Sequence, residues 1–250
     1  MVTLMDTLSE RWAKLEPTTI VVGPDDELKR PAVVLFHGCG GMRPHLPLYA
    51  AAARAAGWRA FIVDSYTPRG WGRVFALSMV CTGALLRGNE RAGDVLAAID
   101  GVSRRPDVDP GKIAVAGWSH GGWSIMEMLA APRTHTGELG IADPSIVSMS
   151  ALKGVWMAYP YVGFLALGRN RPWRHHPRTE VVFAKHDHLT TVRNAEQVFE
   201  GQRRQGAVIE TWVADGTHSF DEPTGAPPMR HDAALTEAAV KRFAAFLSGL

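Results

Sequence analysis

Lys112-Ile113-Ala114-Val115-Ala116-Gly117-Trp118-Ser119-His120-Gly121-Gly122-Trp123 is the stretch that decides the fold. A short apolar run ends in a Gly-x-Ser-x-Gly pentad, and a helical run, Trp123–Ala131, continues until Pro132 stops it. Small residues two before and two after the serine let the chain turn sharply from strand to helix. That turn lifts the Ser119 hydroxyl to the sheet edge and aims the backbone N–H of His120 at whatever binds there. The pentad alone arises by chance in many proteins, but between a strand and a helix it reads as a nucleophile elbow. The competing reading is a Gly-rich turn with an incidental serine.

Outward from this stretch the same alternation repeats. Apolar runs at Ala32–Phe36, Ala60–Asp64, Gly154–Met157, Glu180–Ala184 and Ile209–Val213 read as strands buried on both faces. Ala92, Val95, Leu96, Ile99 and Val102 share one helix face. So do Val192, Ala195, Val198 and Phe199, and later Leu235, Ala239, Phe243 and Phe246. Strand–helix alternation predicts an α/β fold with a mostly parallel central sheet and helices on both faces. One domain over 1–250 is expected, with a small lid-like insertion at about 65–89. The short segment Ala158–Thr179 leaves no room for a large cap.

Composition fits this reading. The chain has 250 residues, 46% hydrophobic and 21% charged, as in ordinary globular proteins. Its formal net charge of +2 is scattered, so no basic face for nucleic acid is expected. The Ala-rich stretch Leu48–Ala56 is too short for a membrane span and is broken by Arg54. Met1–Glu16 carries Asp6, Glu10 and Arg11 where a secretory signal would be apolar, so a cytoplasmic location is expected. Cys39 and Cys81 are too few for a disulfide scaffold. They read as structural thiols by default and would pair only in an oxidising compartment.

In open α/β sheets, ligands bind beyond the carboxyl ends of the strands. His37-Gly38-Cys39-Gly40-Gly41 follows the first buried strand and is placed to supply a second N–H for an oxyanion, from Cys39 first or Gly40 second. A tight turn needing positive φ is the plainer reading of the same glycines. A serine hydroxyl needs a base, and His218, after the last strand, fits. The imidazole needs an acid, and Asp187, after the preceding strand, fits in turn. Asp215 competes but stands only three residues before His218, where it is expected to shape the turn. His175, His176, His186 and His188 match no zinc spacing and read as solvated loop residues. His37 is expected to brace the oxyanion loop, and His120 to contribute its backbone.

These segments resemble the α/β-hydrolase superfamily and, within it, the dienelactone hydrolase family. The nearer likeness rests on Phe36–Gly41, on Val63-Asp64-Ser65-Tyr66-Thr67-Pro68-Arg69-Gly70, on Tyr159-Pro160, and on the chain order Ser119, Asp187, His218. Founding members of that family use a cysteine nucleophile helped by a glutamate before the oxyanion residue. Ser119 and Gly38 stand at those positions here, which points to an ordinary serine esterase rather than a dienelactone hydrolase. The resemblance implies hydrolysis of carboxylic esters or lactones of small to medium size, with no metal or organic cofactor. Thioesterase, amidase, peptidase or acyltransferase chemistry is the alternative with the same triad, and a non-catalytic ligand-binding protein is a further one. Trp118, Tyr159 and Gly40 are expected near the substrate pocket, and Arg69 is expected to brace the Asp64 loop by an ion pair. The expected partner is a small-molecule ester, bound by a monomer or homodimer.

Overall fold

The computed structural model describes residues 5–250, so the first four residues of the N-terminal segment lie outside it. Seven strands form one sheet in the order β1-β3-β2-β4-β5-β6-β7. The strands are β1 (Ile20–Val22), β2 (Arg30–Phe36), β3 (Arg59–Val63), β4 (Val108–Trp118), β5 (Leu152–Ala158), β6 (Arg178–His186) and β7 (Ile209–Thr217). All neighbours pair in parallel except β1, which runs antiparallel to β3 at the edge. Parallel strands need crossovers, and helices supply them on both faces.

The period-two alternation of each strand divides the core. Val34, Phe36, Val115 and Met157 point to one face, where α1 (Leu8–Leu15), α4 (Gly88–Ser103), α5 (His120–Ala130) and α6 (Val192–Arg203) cover them. Val33, Leu35, Ala114 and Trp156 point to the other, under α2 (His45–Ala55) and α7 (Ala233–Ser248). Because both faces are covered, the strands read as continuous apolar runs, which is why they are visible in the sequence. The register sets Phe36 beside Gly117 and Gly117 beside Met157, so β2, β4 and β5 end side by side.

Two elements gave no such signal. The strand β1 has only three residues, two of them exposed. The helix α1 lies in the segment read only for its lack of a signal sequence, and a Thr7–Glu10 capping box starts it. A short helix, α3 (Arg73–Met79), lies between β3 and α4. No helix among the described residues is long and apolar enough to cross a membrane.

A buried carboxylate ties three of these pieces together. Asp94, on α4, has no exposed surface and pairs with Arg11 of α1 and Arg69 of the loop after β3, both at 2.9 Å. Burial works against its charge, but Arg69 and Arg11 outweigh it and hold the carboxyl below its ordinary value. Asp94→Ala leaves Arg69 without a carboxylate and Arg11 with only Asp6, and should cost about 3 kcal/mol, roughly 10 °C in a thermal melt. Removing the exposed Glu237–Lys241 pair should cost no more than about 0.5 kcal/mol. Equal shifts for the two changes would contradict this assignment.

Candidate active site

The turn from β4 into α5 is possible only because of its glycines. A Cβ on Gly117 would sit 2.6 Å from the Gly121 backbone, and one on Gly121 would sit 2.2 Å from the carbonyl oxygen of Phe36. Both contacts are with backbone, so α5 reaches the strand ends only without those side chains. Ser119 then takes φ 49°, ψ −107°, a conformation side chains avoid. Its N–H donates to Ala158 O (2.9 Å), and its own carbonyl accepts from Tyr161 N (3.3 Å), which pins the elbow to the end of β5.

Three separate strand ends meet at Ser119. His218 Nε2 lies 2.9 Å from Ser119 Oγ, and His218 Nδ1 lies 2.7 Å from Asp187 Oδ2. The other carboxylate oxygen of Asp187 accepts from the N–H groups of Leu189 (2.7 Å) and Thr190 (3.0 Å), which fixes its orientation. Ser119, Asp187 and His218 are all at least nine-tenths buried. Asp215 is exposed and pairs instead with Lys185 (3.1 Å) and His186 (3.0 Å), so it is not the acid beside His218.

The loop after β2 is held from several sides. His37 Nδ1 donates to Gly38 O (2.7 Å), and its Nε2 accepts from Ser65 N (3.2 Å). Gly38 C=O and Cys39 N–H belong to one peptide unit, so anchoring the carbonyl aims the N–H. Tyr66 OH donates to Cys39 O (3.1 Å), and the fully buried Arg91 donates to His37 O (2.7 Å). Neither Cys39 N–H nor His120 N–H has an acceptor among the described residues. Two unpartnered donors beside a serine hydroxyl are what an oxyanion requires.

Comparison with known proteins bears on the fold. The sequence matches the dienelactone hydrolase family over residues 18–137, a span that includes the Cys39 loop and the elbow. No curated protein matches it. Among solved structures, a dienelactone hydrolase-like promiscuous phosphotriesterase from metagenomic libraries has a TM-score of 0.69 at 21% identity, covering 93% of this chain and 92% of that one. Thermogutta terrifontis esterase 2, phosphoramylated by tabun, has a TM-score of 0.67 at 18% identity, covering 92% and 88%. The same organism's esterase with propionate bound has a TM-score of 0.60 at 15% identity, covering 90% and 87%.

The chain has the α/β-hydrolase fold and resembles the dienelactone hydrolase family.

Within this α/β-hydrolase frame, a cavity of about 250 Å³ opens at Ser119. Its walls include Val80–Gly83, Trp123, Tyr161, Phe164, Leu165 and Leu189, and no charged side chain. Three expected pocket residues are elsewhere. Trp118 and Tyr159 are buried behind the elbow, held by a polar partner described next. Gly40 occupies the turn closed by Gly41 N to Gly38 O, and a Cβ there would meet open space. Arg69 braces the Asp64 loop by an ion pair as expected, its partner being Asp94, and also donates to Ser65 O. Cys39 and Cys81, expected as thiols, are joined as a disulfide. Among the described residues no three His, Cys, Asp or Glu side chains gather to hold a metal ion.

Two supporting residues escaped the sequence reading. Asp221, three positions after His218 and fully buried, accepts from Tyr49 OH (2.8 Å), Trp118 Nε1 (3.1 Å) and Tyr159 OH. Burial and the Asp221 charge push both tyrosine hydroxyls well above their ordinary range, so they stay donors. Tyr159 also packs on the His218 ring with centroids 4.8 Å apart. Asp221 therefore ties the His218 loop to the elbow strand, and nothing periodic in the sequence marks it. Arg91 did carry a signal, being a charged residue beside the apolar face of α4. Its guanidinium contacts His120 Nδ1 (3.2 Å), which leaves the ring proton on Nε2.

Asp221→Asn turns one acceptor into a donor among three buried donors and should cost about 2–4 kcal/mol in urea unfolding. An unchanged urea midpoint would refute that role. The buried histidines set a second test. Burial, then Arg91, holds His120 down to about 3 and His37 well below 6.5. Their folded values are depressed, so the unfolded chain binds protons that the native state refuses as pH falls below 6.5. Stability should therefore fall between pH 7 and pH 5, by up to about 1.4 kcal/mol per pH unit for each histidine. A flat profile over that window would contradict the burial of both rings as neutral groups.

Proposed function

We propose that the protein is a serine hydrolase that cleaves carboxylic esters or lactones of small to medium size through an acyl-enzyme on Ser119. The observation that carries this reading is the unbroken relay from Ser119 Oγ through His218 to Asp187, beside two unpartnered N–H groups at the mouth of an apolar cavity.

In this reading His218 Nε2 takes the Ser119 proton as Oγ attacks the ester carbonyl. Asp187 holds the His218 ring in the tautomer that leaves Nε2 free and stabilises the imidazolium that forms. The N–H groups of Cys39 and His120 receive the developing oxyanion. His218 then protonates the departing alkoxide, and the same base activates water to release the acid. Arg91 and His37 fix the Cys39 peptide, and Asp221 fixes the loop of His218, before any substrate arrives. No step calls on a cofactor.

The cavity walls bear on the substrate. With no Lys or Arg in the lining, a substrate carboxylate has no counter-charge there, and Arg69 is committed to Asp94. An uncharged acyl or alcohol group fits such walls. The propionate-bound and tabun-phosphoramylated forms of Thermogutta terrifontis esterase 2 support, by analogy of fold, a site that takes short acyl groups.

Hydrolysis of p-nitrophenyl esters from acetate to dodecanoate tests the proposal. Wild type should favour the shorter chains, and Ser119→Ala should lose about 10⁴-fold or more in kcat with the fold intact. Equal rates for the two proteins across the series would overturn the assignment of Ser119.

A further inference from the structure

The disulfide ties the part of the site with least else to hold it, the cavity wall around Cys81, to the loop that carries the Cys39 N–H. Cys39 stands in the Gly38-Cys39-Gly40-Gly41 turn, where three residues in four are glycine and the chain has much freedom to lose. Its own N–H is one of the two proposed oxyanion donors. Cys81 lies 42 residues later, just past α3, with the two Cα atoms 5.1 Å apart. Val80, Cys81, Thr82 and Gly83 form one wall of the cavity.

That wall is thinly anchored. In α3 only Ala76 is buried, while Val74 is 83% exposed and Phe75 and Leu77 also face solvent. The apolar cluster beneath it comprises just Tyr66, Ala76, Val80 and Leu86, with Cys39 and Trp71 packed alongside. The hydrogen bonds of Cys81 N, Thr82 Oγ1 and Leu85 N all end within the segment itself, on Ala76, Ser78 and Met79. A segment with so few buried contacts is at the low-stability end of a fold. A covalent link across a long loop removes much of that freedom.

We propose that the Cys39–Cys81 disulfide is a positioning element of the site, working alongside His37, Tyr66 and Arg91: it holds the Val80–Gly83 wall and completes the aim of the Cys39 N–H, so that full activity belongs to the oxidised chain. This rests on the reading of Ser119 as an acylating nucleophile. A dithiol reductant reverses it in a balanced exchange. One reductant thiolate attacks the Cys81 sulfur, the more exposed of the pair, forming a mixed disulfide and freeing the Cys39 sulfur. The second reductant thiolate then displaces Cys81. Two electrons and two protons pass to the protein, giving two cysteine thiols and the oxidised reductant. In a compartment with a reducing thiol pool the loop is released, and in an oxidising one it is held.

The test compares oxidised wild type, wild type reduced with dithiothreitol, and Cys81→Ser, with thiols counted by mass spectrometry and folding followed by circular dichroism. Two rates are read on each: kcat and KM for p-nitrophenyl acetate, and the second-order rate of Ser119 labelling by a fluorophosphonate. A single oxyanion donor is worth about 10²–10³ in rate, and a loosened one less. Reduction should therefore lower kcat and the labelling rate by roughly 10- to 100-fold with little change in KM, and reoxidation should restore both. Cys81→Ser should match the reduced enzyme and ignore dithiothreitol. If the wild type with two free thiols keeps both rates within about twofold, the positioning role is wrong. Labelling that falls on reduction in a protein cleaving no ester sinks the ester reading and keeps the positioning role. A serine that never labels in the oxidised chain overturns both.

Discussion

The close approach of α5 to the ends of β2 and β4 is the contact on which the rest of the site depends. It requires backbone to meet backbone at Gly117 and Gly121, and it forces Ser119 into a positive-φ conformation at the sheet edge. A β-carbon at either glycine would lift the helix and swing both the hydroxyl and the His120 N–H away from the other strand ends. The strain at Ser119 is supported by bonds to Ala158 and Tyr161, so the end of β5 is part of the elbow. Tyr159 and Ser219, at φ 38° and 56°, show the same kind of backbone beside the site.

Around that turn the protein relies on buried polar groups that are paired in advance. Arg91 and Asp94, one helical turn apart on α4, serve different neighbours. Asp94 gathers Arg11 and Arg69, while Arg91 holds the backbone and rings near the Cys39 loop. Asp221 plays a similar part for the His218 loop, with neutral donors in place of cations. Arg91 and Asp221 hold the loops of Cys39 and His218, Asp94 holds the neighbouring loop after β3, and none of the three lines the cavity. Such groups are costly to leave unpaired, so the loops they hold have few alternative positions.

Much of the fold was legible because a sheet covered on both faces must be built from uninterrupted apolar runs, and the residues just after those runs gather at one edge of the sheet. Ser119, Asp187 and His218 could be named in advance for that reason, although they lie on three different strand ends. The edge strand β1 and the helix α1 were hidden: one is three residues long, and the other starts from a local Thr7–Glu10 cap. Trp118, next to the nucleophile in sequence, and Tyr159, just past the following strand, were misplaced because neither position says which side of the elbow a ring occupies. Their orientation depends on Asp221, whose partner Tyr49 lies 172 positions away. The pairing of Cys39 with Cys81 depended likewise on a spatial separation that no local pattern records.

The geometry makes one demand that can be seen directly. An organophosphate such as diethyl p-nitrophenyl phosphate leaves a phosphoryl group on a serine activated by a base, and its non-ester oxygen mimics the oxyanion. In a crystal structure of the modified protein, that group should be bonded to Ser119 Oγ, with the oxygen about 3 Å from both Cys39 N and His120 N. Modification at another residue, or an oxygen turned away from those two N–H groups, would contradict the assignment of the site.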